Sequence, residues 1–159
     1  MSANEYWLSH DIGDIALLET TDIGGTNAQA GAVDMRKWHG VFAYVELGTW
    51  NAGDDLDECR LEQDDGTGSW KDLTTDASDG DYDTDAPVDA DGNYVILEAA
   101  DEDLDVANGF YLVRLYVAEA GNTGTDNVSG FIFGVGAKVK EAEKNAVAVS
   151  GEKVYVRPS

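Results

Sequence analysis

Apolar and polar residues alternate through the middle of this chain with the period of two that belongs to β-strands. Val41, Ala43, Val45 and Leu47 share one face of a predicted strand, and Phe42, Tyr44 and Glu46 share the other. Tyr111, Val113, Leu115 and Val117 alternate with Phe110, Leu112, Arg114 and Tyr116. Phe131, Phe133, Val135, Ala137 and Val139 alternate with Ile132, Gly134, Lys138 and Lys140. Tyr94–Leu97 is a short apolar run, and Val154 and Val156 flank Tyr155. Weaker strand signals cover Ile15–Glu19, Ala28–Met35 and Glu58–Gln63. Clusters of Gly, Asn, Asp and Ser at 51–55, 64–69 and 121–127 separate these runs. No segment sustains a helical period, although Ala142–Val147 has room for one turn. The expected fold is all-β: a single β-sandwich or jelly-roll-like domain over 15–140, with an N-terminal arm over 1–14 and a basic C-terminal extension over 141–159. Thr74–Asn93, dense in Asp, reads as one long surface loop.

Charge changes what such a fold can meet. The 159 residues carry 32 Asp+Glu against 10 Lys+Arg, a net charge of −22. With 43% hydrophobic residues the chain is nevertheless no disordered acidic tail. Free nucleic acid and anionic membrane surfaces are repelled by this charge. No apolar run approaches the ~18–20 residues of a membrane-spanning helix. Met1–Leu18 lacks a basic start followed by an apolar block, so no secretory leader is expected. Asp outnumbers Glu and lysine is scarce, a bias that fits strong brine, where a Debye length of ~3 Å at 1 M salt screens the self-repulsion. An ordinary acidic protein is the other reading. The stretch Lys138–Ser159 holds five basic and three acidic residues, hence about +2 against about −24 for the remainder. Lys138, Lys140, Lys144, Lys153 and Arg157 are therefore candidate contacts to an acidic surface, the chain's own or a neighbour's; the other reading is a final strand with its lysines on the wet face.

Candidate chemistry is sparse. Asp81, Asp83 and Asp85 have the spacing that opens an EF-hand loop, but Ala86 stands where the turn needs glycine and Gly92 where a bidentate Glu belongs. Asp101, Asp103 and Asp105 fail in the same way. An irregular Ca2+, Mg2+ or Na+ site drawn from Asp81, Asp83, Asp85, Asp89 and Asp91 stays open beside the reading of a hydrated acidic loop; no other cofactor is expected. Two histidines (His10, His39) and one cysteine (Cys59) are too few for a structural zinc site. Cys59 reads as a small buried residue, and His39 as a packing or turn residue. With 32 acids, carboxylate pairs are inevitable and point to no hydrolase. Gly130, Gly134 and Gly136 lie inside an alternating strand, where they permit bends or close packing, not a phosphate cradle. Asn127-Val128-Ser129 is a glycosylation sequon expected in a loop. Trp7, Trp38, Trp50 and Trp70 lie at strand margins or in loops. One or two are expected to cap the core, and as a set they are candidate anchors between subunits, with sugar stacking a lesser use.

Several motifs occur in a telling order. Ala30-Gly31-Ala32-Val33-Asp34-Met35-Arg36-Lys37-Trp38-His39-Gly40-Val41 leads into an apolar strand ending at Gly48. Leu61-Glu62-Gln63-Asp64-Asp65-Gly66-Thr67-Gly68-Ser69-Trp70-Lys71-Asp72-Leu73 follows, then Gly109-Phe110-Tyr111-Leu112-Val113-Arg114-Leu115, then Val128 to Gly136. This order resembles small β-rich capsid decoration or cement-type proteins of tailed phages and halophilic archaeal tailed viruses. In those, an "aID..g" strand precedes an "LQ.SDDG..F.D" hairpin, an "RYVR" strand and a "Gv..lG" strand. The likeness spans about residues 30–137. The long acidic loop and basic C-terminal extension depart from it. The resemblance implies a non-enzymatic virion protein made in the host cytoplasm and placed on the capsid surface, with the major capsid protein and copies of itself as partners. The alternative is a cation-dependent carbohydrate- or receptor-binding β-sandwich module of a tail or spike.

Overall fold

The computed structural model describes residues 12–52, 54–74, 89–119 and 124–138. Eight strands form two antiparallel four-stranded sheets: β1 (Ile12–Asp22), β2 (Asn27–Asp34), β3 (Trp38–Leu47), β4 (Glu58–Asp64), β5 (Lys71–Asp72), β6 (Tyr94–Ala100), β7 (Leu112–Ala118) and β8 (Asn127–Ala137). One sheet has the order β1-β8-β3-β6, the other β2-β7-β4-β5. Apart from the β4–β5 hairpin, each strand crosses to the opposite sheet, which is the winding of an eight-stranded jelly roll. The protein is thus all-β, a single sandwich, as the alternation predicts. Two short 3-10 turns, Asp101–Asp103 and Val106–Asn108, break the β6–β7 connection.

The period of two becomes the two faces of each sheet. Val41, Ala43, Val45 and Leu47 point inward from β3 and meet Val128 and Ile132 of β8. Cys59 and Leu61 of β4 and Val113, Leu115 and Val117 of β7 line the facing sheet, all fully buried. Burial of each Val, Leu or Ile here contributes roughly 1.5–3 kcal/mol, which makes this layer the main source of stability. β7 begins two residues later than the alternation suggests. Gly109, at φ 85°, closes the preceding turn, and Phe110 donates its N–H to the Asp105 carbonyl, so Phe110 belongs to the turn.

Two of the four tryptophans belong to the core, as expected. Trp38 and Trp50 are only 4% and 7% exposed. Trp50 donates its indole N–H to the Asp54 carbonyl at 2.7 Å, and Trp38 to Asp14 Oδ2 at 3.0 Å. Both are core residues with their polar handle satisfied within the chain, so their assignment as intersubunit anchors is corrected: too little of either side chain reaches the surface. The indole of Trp38 lies across Gly134 of β8 and Gly13 of β1, where an added Cβ would collide with ring carbons. Gly134 of the glycine run, with Gly13, is therefore a seat for an indole. Gly134→Ala is expected to destabilise the domain by about 1–3 kcal/mol through overpacking. Denaturant unfolding at fixed salt measures this, and an unshifted midpoint would refute the seat. The sequon also lies elsewhere than predicted: Asn127, Val128 and Ser129 open strand β8, with Val128 in the core.

Candidate functional site: the outer face of one sheet

The two outer faces of the sandwich are built differently. On the β2-β7-β4-β5 sheet, Arg60 and Arg114 straddle the buried carboxylate of Glu62. Arg114 donates from Nε to Glu62 Oε2 at 2.7 Å and from Nη1 to Gln29 Oε1 at 2.6 Å. Arg60 reaches Glu62 Oε1 at 3.1 Å and Asp72 Oδ1 at 2.8 Å. The guanidinium of Arg114 also lies 4.3 Å from the Trp70 ring centre, and that of Arg60 lies 4.6 Å from Tyr116. Each charge finds an opposite charge, and each ring shown here finds a cation. This face is finished for contact with water.

The outer face of the β1-β8-β3-β6 sheet has no such network among the described residues. Strand pairing places Phe42 opposite Phe133 and Tyr44 opposite Phe131. It adds Ile96 beside Tyr44, Tyr94 beside Glu46, and Leu17 beside Phe131. Phe42 stacks on Phe133 at 5.3 Å, Phe131 on Tyr44 at 5.5 Å, and Tyr44 on Tyr94 at 5.7 Å between ring centres. The result is a continuous aromatic ladder across three strands. Leu17 is 68% exposed and Tyr94 61%, with Ile15 and Ile96 about half exposed. At one end an open depression of about 550 Å³ is lined by Ile12, Gly40, Phe42, Phe133 and Val135. Polar groups sit on the ladder's flank: Tyr44 donates its hydroxyl to Glu46 Oε2 at 3.2 Å, and Glu98 faces Phe42 across the pairing. Partial desolvation and then the Glu46 carboxylate push the Tyr44 phenol above its ordinary pKa, so it stays a donor. This contiguous apolar surface on a chain of net charge −22 is the candidate site, since large exposed apolar patches are rare on surfaces that meet only water.

The residues singled out from sequence are scattered. Trp70 lies on the opposite outer face, engaged by Arg114. Lys138 turns back on its own chain: Nζ donates to the Met35 carbonyl at 2.9 Å and pairs with Asp101. Lys138 thus meets an acidic group of its own chain. Asp91 accepts the main-chain N–H of Trp50 at 2.7 Å, and Asn93 Oδ1 accepts the main-chain N–H of Asp89, so these two residues pin a loop. Among the described residues no three acids, histidines or cysteines converge as a metal site. Trp7, Lys140, Lys144, Lys153, Arg157, Asp81, Asp83 and Asp85 lie outside the described residues. His39 is exposed on β3, 3.6 Å from Asp101. Cys59 is fully buried on β4. Sequence reasoning did not single out the aromatic ladder. Its signal was present, since β3 and β8 carry large apolar residues on both faces.

No protein family matches the chain, and no curated protein matches it either.

The surface carboxylates carry a pH prediction. Hydrogen bonds from Lys138 and Lys71 hold Asp101 and Asp105, respectively, below the usual range. Main-chain N–H groups of Asp126 and Gly24 do the same for Asp22. For Asp34, burial acts upward, but the hydrogen bonds from Arg36 outweigh it and the net shift is downward. A depressed folded-state pKa contributes stability that is complete above the unfolded value, ~4, and disappears as pH falls through the folded value. Melting temperature in concentrated salt is therefore expected to be level from neutral pH to about 5 and to fall below about 4. A constant or rising melting temperature down to pH 3 would contradict this ion pairing.

Proposed function

We propose that this chain is a structural protein of a tailed-virus particle, a capsid decoration or cement protein. It lays the aromatic face of its β1-β8-β3-β6 sheet on the major capsid protein and turns over no substrate. The observation that carries the reading is the contrast between a sheet face closed by its own ion pairs and one left apolar. Physics favours an apolar contact here. In brine, charge pairing is screened within ~3 Å, whereas apolar burial persists and is strengthened by excluded salts. An acidic chain that has to hold an equally hydrated shell gains its affinity from rings. The jelly-roll winding supports the reading at the level of analogy, since capsid and lectin domains share it. The order of motifs over residues 30–137 supports it independently.

One observation favours a second reading, a carbohydrate- or receptor-binding module. Stacked Phe42, Phe133, Phe131 and Tyr44 form the kind of flat platform on which sugar rings stack. Co-sedimentation separates the two. Shells assembled from the major capsid protein are expected to pull the chain down at high salt, with no retention on a panel of immobilised glycans. Glycan retention without shell binding would transfer the function to the second reading.

A further inference from the structure

Four stretches of chain meet at one end of the sandwich: the β1–β2 turn, residues 48–52 and 54 after β3, residues 89–93 before β6, and the ends of the β7–β8 connection. Asp126 stitches them. Its carbonyl accepts the N–H of Ile23 at 2.8 Å, its N–H donates to Asp22 Oδ1 at 3.0 Å, and its Oδ1 accepts the N–H of Asn51 at 2.8 Å. Asn51 in turn donates its side-chain amide to Asp54 Oδ2 at 2.7 Å. Glu119 Oε2 accepts the N–H of Gly25 at 2.6 Å. Asp22, Asp54, Asp91, Glu119 and Asp126 thus gather at this end. Among the described residues, none of the five pairs with a lysine or arginine, in contrast to Glu62 and Asp72 on the outer face of the β2-β7-β4-β5 sheet and to Asp14, Asp34 and Asp101 at the other end.

Asp126 stands out among them. Its exposure is 0%, and Oδ2 is buried with no hydrogen-bond partner. An ionised carboxylate taken out of water with one oxygen unsatisfied is destabilising by several kcal/mol unless a positive charge meets it. The second carboxylate, Asp22, accepts the N–H of Asp126 itself, so two acids flank a single peptide group. We propose that Asp126 Oδ2 binds a calcium-class divalent cation, with Asp22 as the neighbouring carboxylate and loop carbonyls, amide oxygens and water completing the shell.

The donor chemistry selects the ion. All the groups at hand are hard oxygens, which suit Ca2+ and not zinc. His39 lies at the opposite end of β3 and Cys59 in the core. Loops of mixed origin fit the flexible shell of Ca2+ better than the strict octahedron of Mg2+. No three acids converge among the described residues, so at most two of the described carboxylates contribute. That charge count places the site in the weak class, with Kd about 10⁻⁴–10⁻³ M. Such a cation would clamp the loop end whatever docks on the aromatic face.

The test is a CaCl2 titration of the chelator-treated full chain in concentrated KCl, read as melting temperature, for wild type, Asp126→Asn and Glu98→Gln. The asparagine keeps an oxygen for the Asn51 N–H and removes only the charge. Wild type and Glu98→Gln are expected to rise and saturate with a midpoint near 10⁻⁴–10⁻³ M, and Asp126→Asn to show no rise. No rise in wild type, an equal rise in Asp126→Asn, or the same rise from NaCl at those concentrations would overturn the site. If Asp126→Asn does not fold, Asp22→Asn serves instead. A midpoint at least tenfold higher than wild type supports the proposal, and an unchanged midpoint overturns it.

Discussion

Leu17→Glu is expected to abolish attachment to capsid shells while leaving the fold intact. Leu17 stands on β1 beside Phe131 and is 68% exposed, so the folded domain gains little from it. Surface substitutions of this kind shift stability by about 0.5 kcal/mol or less. In a docked complex the same side chain is buried beside the aromatic ladder. A carboxylate introduced there is desolvated without a partner, and truncation of an interface anchor alone costs about 2 kcal/mol or more, a factor of roughly 30 in affinity. Ile96→Glu, on the far side of the ladder beside Tyr44, is expected to behave alike. Val106→Glu provides the control. Val106 is about as exposed, but it belongs to a 3-10 turn of the β6–β7 connection and to no strand of this sheet. Pelleting with assembled shells measures all three variants. Loss with Val106→Glu, or retention with Leu17→Glu and Ile96→Glu, would remove the aromatic face from the interface.

The largest expected effect on stability is that of Asp14→Ala. Asp14 interrupts β1 at an irregularity, with φ at 50°, and its carboxylate turns inward. Oδ2 accepts the Trp38 indole N–H at 3.0 Å and the Asp34 main-chain N–H at 3.3 Å, with Lys37 Nζ at 3.6 Å. Alanine leaves two donors without an acceptor, one of them on a core indole, at about 1–3 kcal/mol each. It also places a residue without a local acceptor in the left-handed region, which Asp and Asn tolerate better. The expected loss is about 3 kcal/mol, a large share of the 5–15 kcal/mol typical of a domain. Asp14→Asn keeps an acceptor oxygen and the tolerated backbone, so it is expected to lose less than half as much. Urea unfolding in constant salt gives both values. A loss under about 1 kcal/mol for Asp14→Ala would mean that Trp38 is not held through this carboxylate.

Much of the fold was legible because alternation is local. Val41 to Leu47 announces β3, Val113 to Val117 announces β7, and the Gly and Asp clusters at 51–55 and 64–69 mark where strands end. The two-residue strand β5 was not legible: Lys71–Asp72 has no period of its own and exists only because Glu62 and Gln63 pair with it. Which face of β8 turns inward was also hidden. Phe131 and Phe133 are larger than Ile132 and Gly134, yet the glycine side faces the core because Trp38, distant in sequence, fills the space above it. The same long-range packing conceals the burial of Trp38. The ion network around Glu62 joins residues as far apart as Gln29 and Arg114, so no sequence window contains it. The aromatic face was half legible. Apolar residues on both sides of β3 and β8 were visible, but their exposure follows only from the absence of any covering layer among the described residues.

A reconstruction of the assembled particle at side-chain resolution, in its native salt, tests the central claim most directly. This chain is expected on the outer shell, with Leu17, Phe131, Tyr44 and Tyr94 buried against the major capsid protein and the Arg60–Glu62–Arg114 face turned to solvent. A particle in which the aromatic ladder faces open water, or the charged sheet makes the contact, would contradict it.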